Sequence, residues 1–233
     1  MRLDDAKVLV TGGSSGIGRE VARLLVDRGA RVAISGRNEA RLREAAGAIG
    51  ATAVPGDVSV EADAVRMVRQ AIEALGGYNV LVNNAGIGDF APLLDTTADS
   101  MRRVWEVNVL GATLVARESA RHFVDRKYGN IINIGSTSGL RAGPGGSAYA
   151  STKFALRALT ESWRAELRTH NVRVMLLNPS EVVTEFAGRA GRGQQDNPSK
   201  LHPPEIAHAL AAMLTMEDRG FIPELSVWAT NPT

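Results

Sequence analysis

The chain is 233 residues long and 44% apolar, which is enough for one large hydrophobic core and too short to require two domains. It contains no cysteine, and this excludes disulfides, thiolate metal sites and cysteine nucleophiles. Its formal charge of +2 is close to neutral, with arginines spread beside acidic residues, so neither nucleic acid nor a membrane is an expected partner. The N-terminal residues lack the apolar core of a signal peptide, and we expect a cytoplasmic protein.

The first predicted strand, Lys7–Thr11, runs into a glycine-rich segment that a helix follows over Arg19–Asp27. In this order, glycines permit close approach of the backbone to a ligand, and the start of the helix offers free N–H groups to an anion. The spacing of Gly12, Gly16 and Gly18 is G-x-x-x-G-x-G, which differs from the commoner G-x-G-x-x-G. We interpret the segment as a phosphate-binding turn, with a plain structural turn as the alternative.

The second predicted strand, Arg31–Ser35, is followed by Arg37 and by Asn38, a candidate N-cap for a helix that ends near Ala48. Dinucleotide-binding folds that prefer NAD place a carboxylate near this point, where it holds the ribose 2′-hydroxyl. No Asp or Glu lies in the strand or beside Arg37, and a guanidinium suits a 2′-phosphate. We therefore favour NADP(H) as the cofactor. NAD(H) is the alternative, and a solvent-facing arginine is the simpler interpretation of Arg37.

Strands and helices continue to alternate, which predicts βαβ units and a parallel sheet. A helix is expected over Val60–Leu75, with Ser59 as its N-cap. Asp57 follows a predicted strand and is either an ordinary turn residue or a ligand on the side where a dinucleotide would lie. The adjacent amides Asn83 and Asn84 also follow a strand, and they are either turn formers or bond neighbouring backbone or ribose hydroxyls. The further predicted strands are Ala51–Pro55, Tyr78–Val82, Asn130–Ile134, Arg173–Asn178 and Phe221–Ala229. The predicted fold class is α/β: one domain over residues 1–233, with a Rossmann-type doubly wound parallel sheet of about seven strands and helices on both faces.

A long helical pattern from about Thr97 to Lys127 is interrupted near Asn108–Gly111, so we expect two helices or one bent helix. An asparagine within an apolar helical stretch is unfavourable unless its amide is hydrogen-bonded. Asn108 is therefore either a functional residue or a satisfied core amide.

Residues 187–204 form one irregular segment, rich in glycine and proline, before a final helix predicted over Glu205–Met216. A long loop in a compact domain is usually a functional lid or disordered. We expect this segment to be a flexible lid over the substrate.

Tyr149 and Lys153 lie four residues apart in a predicted helix that runs to about Thr169, so their side chains share one face. The pKa of a free phenol is about 10, and a neighbouring ammonium favours the phenolate. Such a pair makes an acid/base that works near neutral pH. A Tyr-x-x-x-Lys pair alone is common by chance, but here Ser136 lies thirteen residues upstream of the tyrosine, after the fifth strand.

Together, four motifs resemble the short-chain dehydrogenase/reductase family in its compact single-domain form, over about Lys7 to Thr184. They occur in the family's order and spacing: Thr11-Gly-Gly-Ser-Ser-Gly-Ile-Gly18, Asn83-Asn-Ala-Gly86, Ser136 and Tyr149-Ala-Ser-Thr-Lys153. The resemblance implies an NADP(H)-dependent carbonyl reductase or alcohol dehydrogenase that transfers hydride between nicotinamide and a carbonyl or secondary alcohol. It also implies a homodimer or homotetramer.

The resemblance implies a role for each matching residue. Tyr149 would be the acid/base, Lys153 would lower the tyrosine's pKa and bond the nicotinamide ribose, and Ser136 would bond the substrate oxygen. Asn108 would position a water in the proton relay behind the lysine. The residues implied to bind the cofactor, besides Tyr149 and Lys153, are Gly12, Ser14, Ser15, Gly16, Ile17, Gly18, Arg37, Asn38, Asp57, Val58, Asn84, Ala85, Gly86, Val182 and Thr184.

Two departures from the family pattern bear on the substrate. Ser180 follows Pro179 where relatives commonly have glycine, and the C-terminus lacks the Gly-Gly ending of the 3-oxoacyl-carrier-protein reductases, which the chain otherwise resembles. The substrate and the direction of the reaction therefore remain open.

Two other functions are alternatives to an oxidoreductase. A cofactor-binding regulator or scaffold without turnover would use the same glycine turn, although such relatives usually lose the tyrosine or the lysine. An S-adenosylmethionine methyltransferase would have no use for Ser136, Tyr149 and Lys153. No metal is expected, because the four histidines show no metal-binding pattern: His122, His170, His202 and His208.

Overall fold

The computed structural model describes residues 1–189 and 199–231. Its centre is a parallel sheet whose strands are β1 (Lys7–Thr11), β2 (Arg31–Gly36), β3 (Thr52–Pro55), β4 (Val80–Asn83), β5 (Gly129–Ile134), β6 (Val172–Pro179) and β7 (Glu224–Val227). Their order across the sheet is β3-β2-β1-β4-β5-β6-β7. This all-parallel arrangement confirms the predicted fold class.

Helices cover both faces of the sheet. In chain order they are α1 (Gly16–Asp27), α2 (Glu39–Ile49), α3 (Glu61–Leu75), α4 (Ala98–Trp105), α5 (Ala112–Arg126), α6 (Ser147–Leu167), α7 (Glu185–Arg189) and α8 (Pro203–Thr215). A π-helical turn, Glu106–Gly111, joins α4 to α5 and confirms the predicted interruption. Among the described residues, no helix is long and apolar enough to cross a bilayer.

Burial of β1 on both sides shows how the layers pack. Val8 and Val10 belong to one apolar core, to which α1 and α8 also contribute. Leu9, between them, belongs to a second core with residues of α3 and α5. Successive strand residues point to opposite faces, so a strand that is apolar at every position requires a covered sheet on both sides.

The strand order creates a crevice at the carboxyl edge of the sheet. From β1 the chain moves outward to β2 and β3, and from β4 it moves outward in the other direction to β5, β6 and β7. Adjacent strands whose connections diverge leave an opening outside their carboxyl ends, which is where open α/β sheets bind ligands. The structure therefore places the ends of β1 and β4 at the bottom of a potential binding site.

Two N-cap residues were predicted, Asn38 and Ser59, and the second is wrong. Asn38 caps α2 as expected, because its Oδ1 accepts a hydrogen bond from Arg41 N at 3.0 Å. The N-cap position of α3 is Val60 and not Ser59, with no side-chain cap. Ser59 instead donates its N–H and its hydroxyl to Asp57 Oδ1, at 3.0 and 2.7 Å.

Half of the segment predicted as a lid, 187–204, lies outside the described residues, namely positions 190–198. The following helix begins at Pro203, earlier than the predicted Glu205. Proline suits the first helical turn because its missing N–H has no partner there, and the Glu205 side chain accepts the His202 N–H at 2.8 Å.

Candidate active site

A cavity of about 1140 Å³ lies at the carboxyl ends of β1, β2, β4, β5 and β6. It brings together residues from distant parts of the chain, as the parallel topology requires. The predicted site residues that line it are Gly12, Ser14, Ser15, Gly16, Ile17, Arg37, Asn38, Asp57, Val58, Asn84, Ala85, Gly86, Ser136, Tyr149, Lys153, Val182 and Thr184. Gly18 and Asn108 are the two that do not contribute to its wall.

The glycine turn between β1 and α1 has a backbone that side chains would disturb. Gly12 and Gly16 have φ of +65° and +54°, in the left-handed region that favours glycine. A Cβ on Gly12 would lie 2.9 Å from Ala85 Cα. Gly18 is buried behind the turn, and a Cβ there would lie 2.4 Å from Asn84 Nδ2. Gly18 therefore permits the packing under the turn, and it does not contribute to the cavity wall.

The amide of Asn84 holds this turn from behind. Its Nδ2 donates to Thr11 O at 2.8 Å and to Gly12 O at 3.2 Å. Thr11 Oγ1 in turn accepts the backbone N–H groups of Asn84 and Ala85, both at 3.0 Å. Of the two interpretations left open by the sequence, these contacts favour a bond to neighbouring backbone. Asn83 is also internal, donating to Ala112 O at 2.8 Å.

Charged pairs surround the part of the cavity beside β2. Arg37 Nη1 lies 3.7 Å from Asp57 Oδ2, and the Arg37 side chain is 65% exposed. Arg41, which the sequence did not single out, donates to both carboxylate oxygens of Glu185 at 2.6 and 2.7 Å. Ser35 Oγ is buried at the end of β2 and lacks a hydrogen-bond partner among the described residues.

Tyr149 and Lys153 lie one turn apart on α6 at the other end of the cavity. Lys153 Nζ is 5.6 Å from the centre of the Tyr149 ring and donates to Ile134 O at 2.8 Å. The lysine is 6% exposed, and burial lowers its pKa to about 8. Ser136, at the end of β5, accepts the Ser138 N–H on its Oγ at 3.1 Å. The structure therefore brings the three predicted residues into one cavity.

Asn108 lies behind the cavity wall, in the π-helical turn, and is 1% exposed. Its Oδ1 accepts the Ile87 N–H at 2.8 Å, and its Nδ2 donates to Ile87 O at 2.9 Å. The same Nδ2 lies 3.1 Å from Thr152 Oγ1, and Thr152 donates to Tyr149 O at 2.6 Å. Asn108 is thus a satisfied buried amide that links the segment after β4 to the helix of the tyrosine.

Two phenylalanines beside Tyr149 were missed from the sequence. The ring centre of Tyr149 lies 5.3 Å from that of Phe90 and 5.5 Å from that of Phe186. Both phenylalanines line the cavity and are partly buried. No spacing links them to each other or to the tyrosine, although Phe186 lies two residues after the predicted Thr184.

A parallel doubly wound sheet with this cavity defines a Rossmann-type α/β protein. A family model described as short chain dehydrogenase matches residues 6–195, and the chain therefore belongs to the short-chain dehydrogenase/reductase family of oxidoreductases. It is 35% identical over 222 residues to the uncharacterized oxidoreductase YxnA of Bacillus subtilis. That alignment covers 90% of this chain, which spans only 62% of the length of YxnA.

Two solved structures are similar over nearly the whole chain. A 3-ketoacyl-(acyl-carrier-protein) reductase from Brucella melitensis, complexed with NADH, is 30% identical with a TM-score of 0.91, covering 98% of each chain. The closed form of a serine dehydrogenase, complexed with NADP⁺, is 28% identical with a TM-score of 0.88. That match covers 94% of this chain and 93% of the serine dehydrogenase.

Proposed function

We propose that the protein is an NADP(H)-dependent oxidoreductase that transfers hydride between nicotinamide and a carbonyl or secondary alcohol. The observation that carries the proposal is the buried Lys153 beside Tyr149, in the same cavity as Ser136 and the glycine turn. Burying an ammonium is unfavourable, and such a perturbed group in a cleft is characteristic of functional sites.

The cavity fits a dinucleotide on its own geometry. The left-handed Gly12 and Gly16 present backbone without side chains at the cavity wall, and α1 begins at Gly16, so the first N–H groups of this helix lie at the turn. The glycine turn would hold the pyrophosphate, and Val182 and Thr184 would lie at the carboxamide end. When bound, the nicotinamide supplies or accepts the hydride.

The chain's own residues would handle the proton. In reduction, Tyr149 donates its phenolic proton to the carbonyl oxygen, and in oxidation it accepts the alcohol proton. The Lys153 ammonium stabilises the phenolate that forms. Ser136 Oγ already accepts the Ser138 N–H, so its hydroxyl proton is available to bond the substrate oxygen. Asn108 acts as a positioning residue, because it fixes Ile87 and the Tyr149 turn of α6.

Arg37 is the residue we propose to select NADP(H). Its guanidinium lines the cavity at the end of β2, where it can bond a 2′-phosphate that NADH lacks. An Arg37→Ala variant is expected to bind NADPH about tenfold more weakly, while its affinity for NADH stays within about twofold. Parallel titrations of the two nucleotides, followed by nicotinamide fluorescence, measure this.

The matched control for that titration is Arg43→Ala. Like Arg37, Arg43 is an exposed arginine, but it lies on α2, pairs with Glu39 and is outside the cavity lining. Its replacement should leave both affinities unchanged. Preference of the unmodified protein for NADH would remove the proposed role of Arg37, and binding of neither nucleotide would contradict the oxidoreductase proposal itself.

We also propose that the protein is a homodimer or homotetramer. Trp105, Leu110 and Phe154 are 38%, 47% and 42% exposed on the segment from α4 to α5 and on α6, and Trp105 Nε1 bonds Ser151 of α6 at 3.2 Å. Covering these apolar side chains would favour association.

A Phe154→Glu variant is expected to elute as a smaller species in size-exclusion chromatography with light scattering. The control is Leu94→Glu, at a leucine that is 95% exposed; equal masses for all forms would contradict the interface.

A further inference from the structure

The Tyr149 ring contacts two phenyl rings that come from separate parts of the chain. Phe90 follows β4, and Phe186 belongs to α7. Their planes are tilted by 48° and 55° to the tyrosine ring, at centre distances of 5.3 and 5.5 Å. These distances fall in the range in which aromatic rings attract each other. The proposed acid/base is therefore surrounded by flat hydrocarbon surface.

Gly88 allows the two phenyl rings to approach each other. A Cβ on Gly88 would lie 2.7 Å from Phe186 Cζ and 2.8 Å from Phe90 Cε2. Both distances are too short for carbon atoms in contact. A side chain at this position would separate the rings, so the aromatic arrangement depends on three residues: the glycine and the two phenylalanines.

Apart from the Lys153 ammonium, the charged side chains near this end of the cavity wall lie in oppositely charged pairs. Arg103, which lines the cavity, donates to Asp89 Oδ2 at 2.7 Å. Glu181, also in the lining, accepts from Lys200 Nζ at 2.8 Å. Within residues 1–189 and 199–231, every arginine of the cavity lining faces a carboxylate. The Lys153 ammonium is only 6% exposed, so an anionic substrate would lose hydration beside the phenyl rings without an exposed, unpaired cation to bind it.

We infer that the substrate is an uncharged carbonyl compound, or the matching alcohol, with an aryl or similarly flat hydrocarbon group next to the reacting carbon. This inference rests on the proposed function of the same site. The oxygen bonds Tyr149 and Ser136, while the flat group packs against Phe90 and Phe186. These two phenylalanines are thus specificity-determining residues, and a compound with a carboxylate on the ring is disfavoured.

A matched set of diones tests the substrate class. Butane-2,3-dione and 1-phenylpropane-1,2-dione share an activated dicarbonyl and differ in the phenyl ring, and a third compound carries a carboxylate at the para position of that ring. We expect kcat/KM for the phenyl compound to exceed that of butanedione by roughly thirtyfold, because burying the ring removes apolar surface from water. We expect the carboxylate to lower it by about tenfold.

Variants locate the ring-binding surface. Phe186→Ala should lower the ratio of kcat/KM for the phenyl dione to kcat/KM for butanedione by about tenfold. Phe186→Tyr should restore most of the loss, because it keeps an aromatic ring, whereas a merely structural role would affect both diones equally. Leu94→Ala, which removes an apolar side chain from the surface, is the matched control and should resemble the unmodified protein.

Binding without turnover separates this inference from the proposed function. NADP⁺ cannot reduce a dione, so calorimetric titration of each dione into the NADP⁺-saturated protein reports affinity alone. Ring-dependent affinity that Phe186→Ala weakens would uphold the inference even where turnover is absent, and that absence would overturn the proposed function. Equal affinity for the two diones, equal losses in Phe186→Ala, a preference for the carboxylate, or no binding of either dione would overturn the inference.

Discussion

A Tyr149→Phe variant is expected to lose 10²–10⁴-fold in kcat, the usual contribution of general acid–base catalysis. The substitution removes only the hydroxyl and keeps the ring that packs against Phe90 and Phe186, so the cavity wall stays in place. NADPH affinity should fall by no more than about tenfold, the contribution of one hydrogen bond from the hydroxyl to the cofactor. Steady-state rates with a carbonyl compound that the unmodified protein reduces, together with a nucleotide titration, measure both quantities.

Tyr128→Phe is the matched control for this loss. Tyr128 lies outside the cavity, with its hydroxyl 3.4 Å from Asp218 Oδ1. It should keep full turnover. Undiminished turnover in Tyr149→Phe would eliminate the tyrosine as the acid/base, and the protein would then need another proton donor.

A Lys153→Met variant should be nearly inactive and yet more stable than the unmodified protein at pH 7. The pKa of this lysine falls from the ordinary 10.5 to about 8 because burial disfavours its charge. Such a displacement corresponds to on the order of 3 kcal/mol against the protonated form, and losing the bond to Ile134 O returns about 1 kcal/mol of that. We expect a gain of about 2 kcal/mol in the free energy of unfolding and a loss of at least about 10² in kcat.

The direction in which stability changes with pH tests whether the buried Lys153 is responsible for this effect. Between pH 8 and 10.5 the unfolded chain keeps a proton on Lys153 that the folded chain has lost, so the lysine's contribution to stability rises with pH. The stability advantage of Lys153→Met should therefore be largest below pH 8 and shrink toward pH 10.5. Urea unfolding at pH 7 and near pH 10 measures the difference. A variant less stable than the unmodified protein at pH 7 would show that burial does not strain this ammonium.

The order of strands and helices is predictable from sequence because burial on both faces leaves a local signature. β1 is apolar wherever it contributes to the two cores, and Val8, Leu9 and Val10 have no exposed surface. The glycine turn is equally local, since the left-handed backbone of Gly12 and Gly16 is one that few other residues adopt. Tyr149 and Lys153 are related by helix geometry alone.

Contacts between distant segments left no such signature. Phe90 and Phe186 meet at the tyrosine only because β4 and β6 deliver their following loops to one edge of the sheet. Arg41 and Glu185 are 144 positions apart in the chain. In the local sequence, Arg41 and Glu185 are ordinary polar residues. Periodicity predicts neither a hydrogen bond nor an aromatic contact between residues so far apart in the chain.

Local competition explains the error at α3. A serine before a helix commonly caps it, but Asp57 offers Ser59 a closer acceptor, and both donors of the serine turn toward that carboxylate. The helix then starts at Glu61 with Val60 in the cap position. The preference of serine for N-cap positions is general, but the neighbouring Asp57 decides which hydrogen bonds Ser59 makes in this chain.

The hydrogen bonds that Asn84 and Thr11 make behind the glycine turn also determine whether the turn becomes ordered during folding or on ligand binding. Fixing the backbone of a residue costs about 1–2 kcal/mol in conformational entropy. Because these bonds join the ends of β1 and β4 within the folded chain, that entropy is lost during folding and not when a ligand arrives. The turn is thus ordered before any ligand binds, and the phosphate affinity that we propose for it would depend on the integrity of two neighbouring strands as much as on any group that touches the ligand.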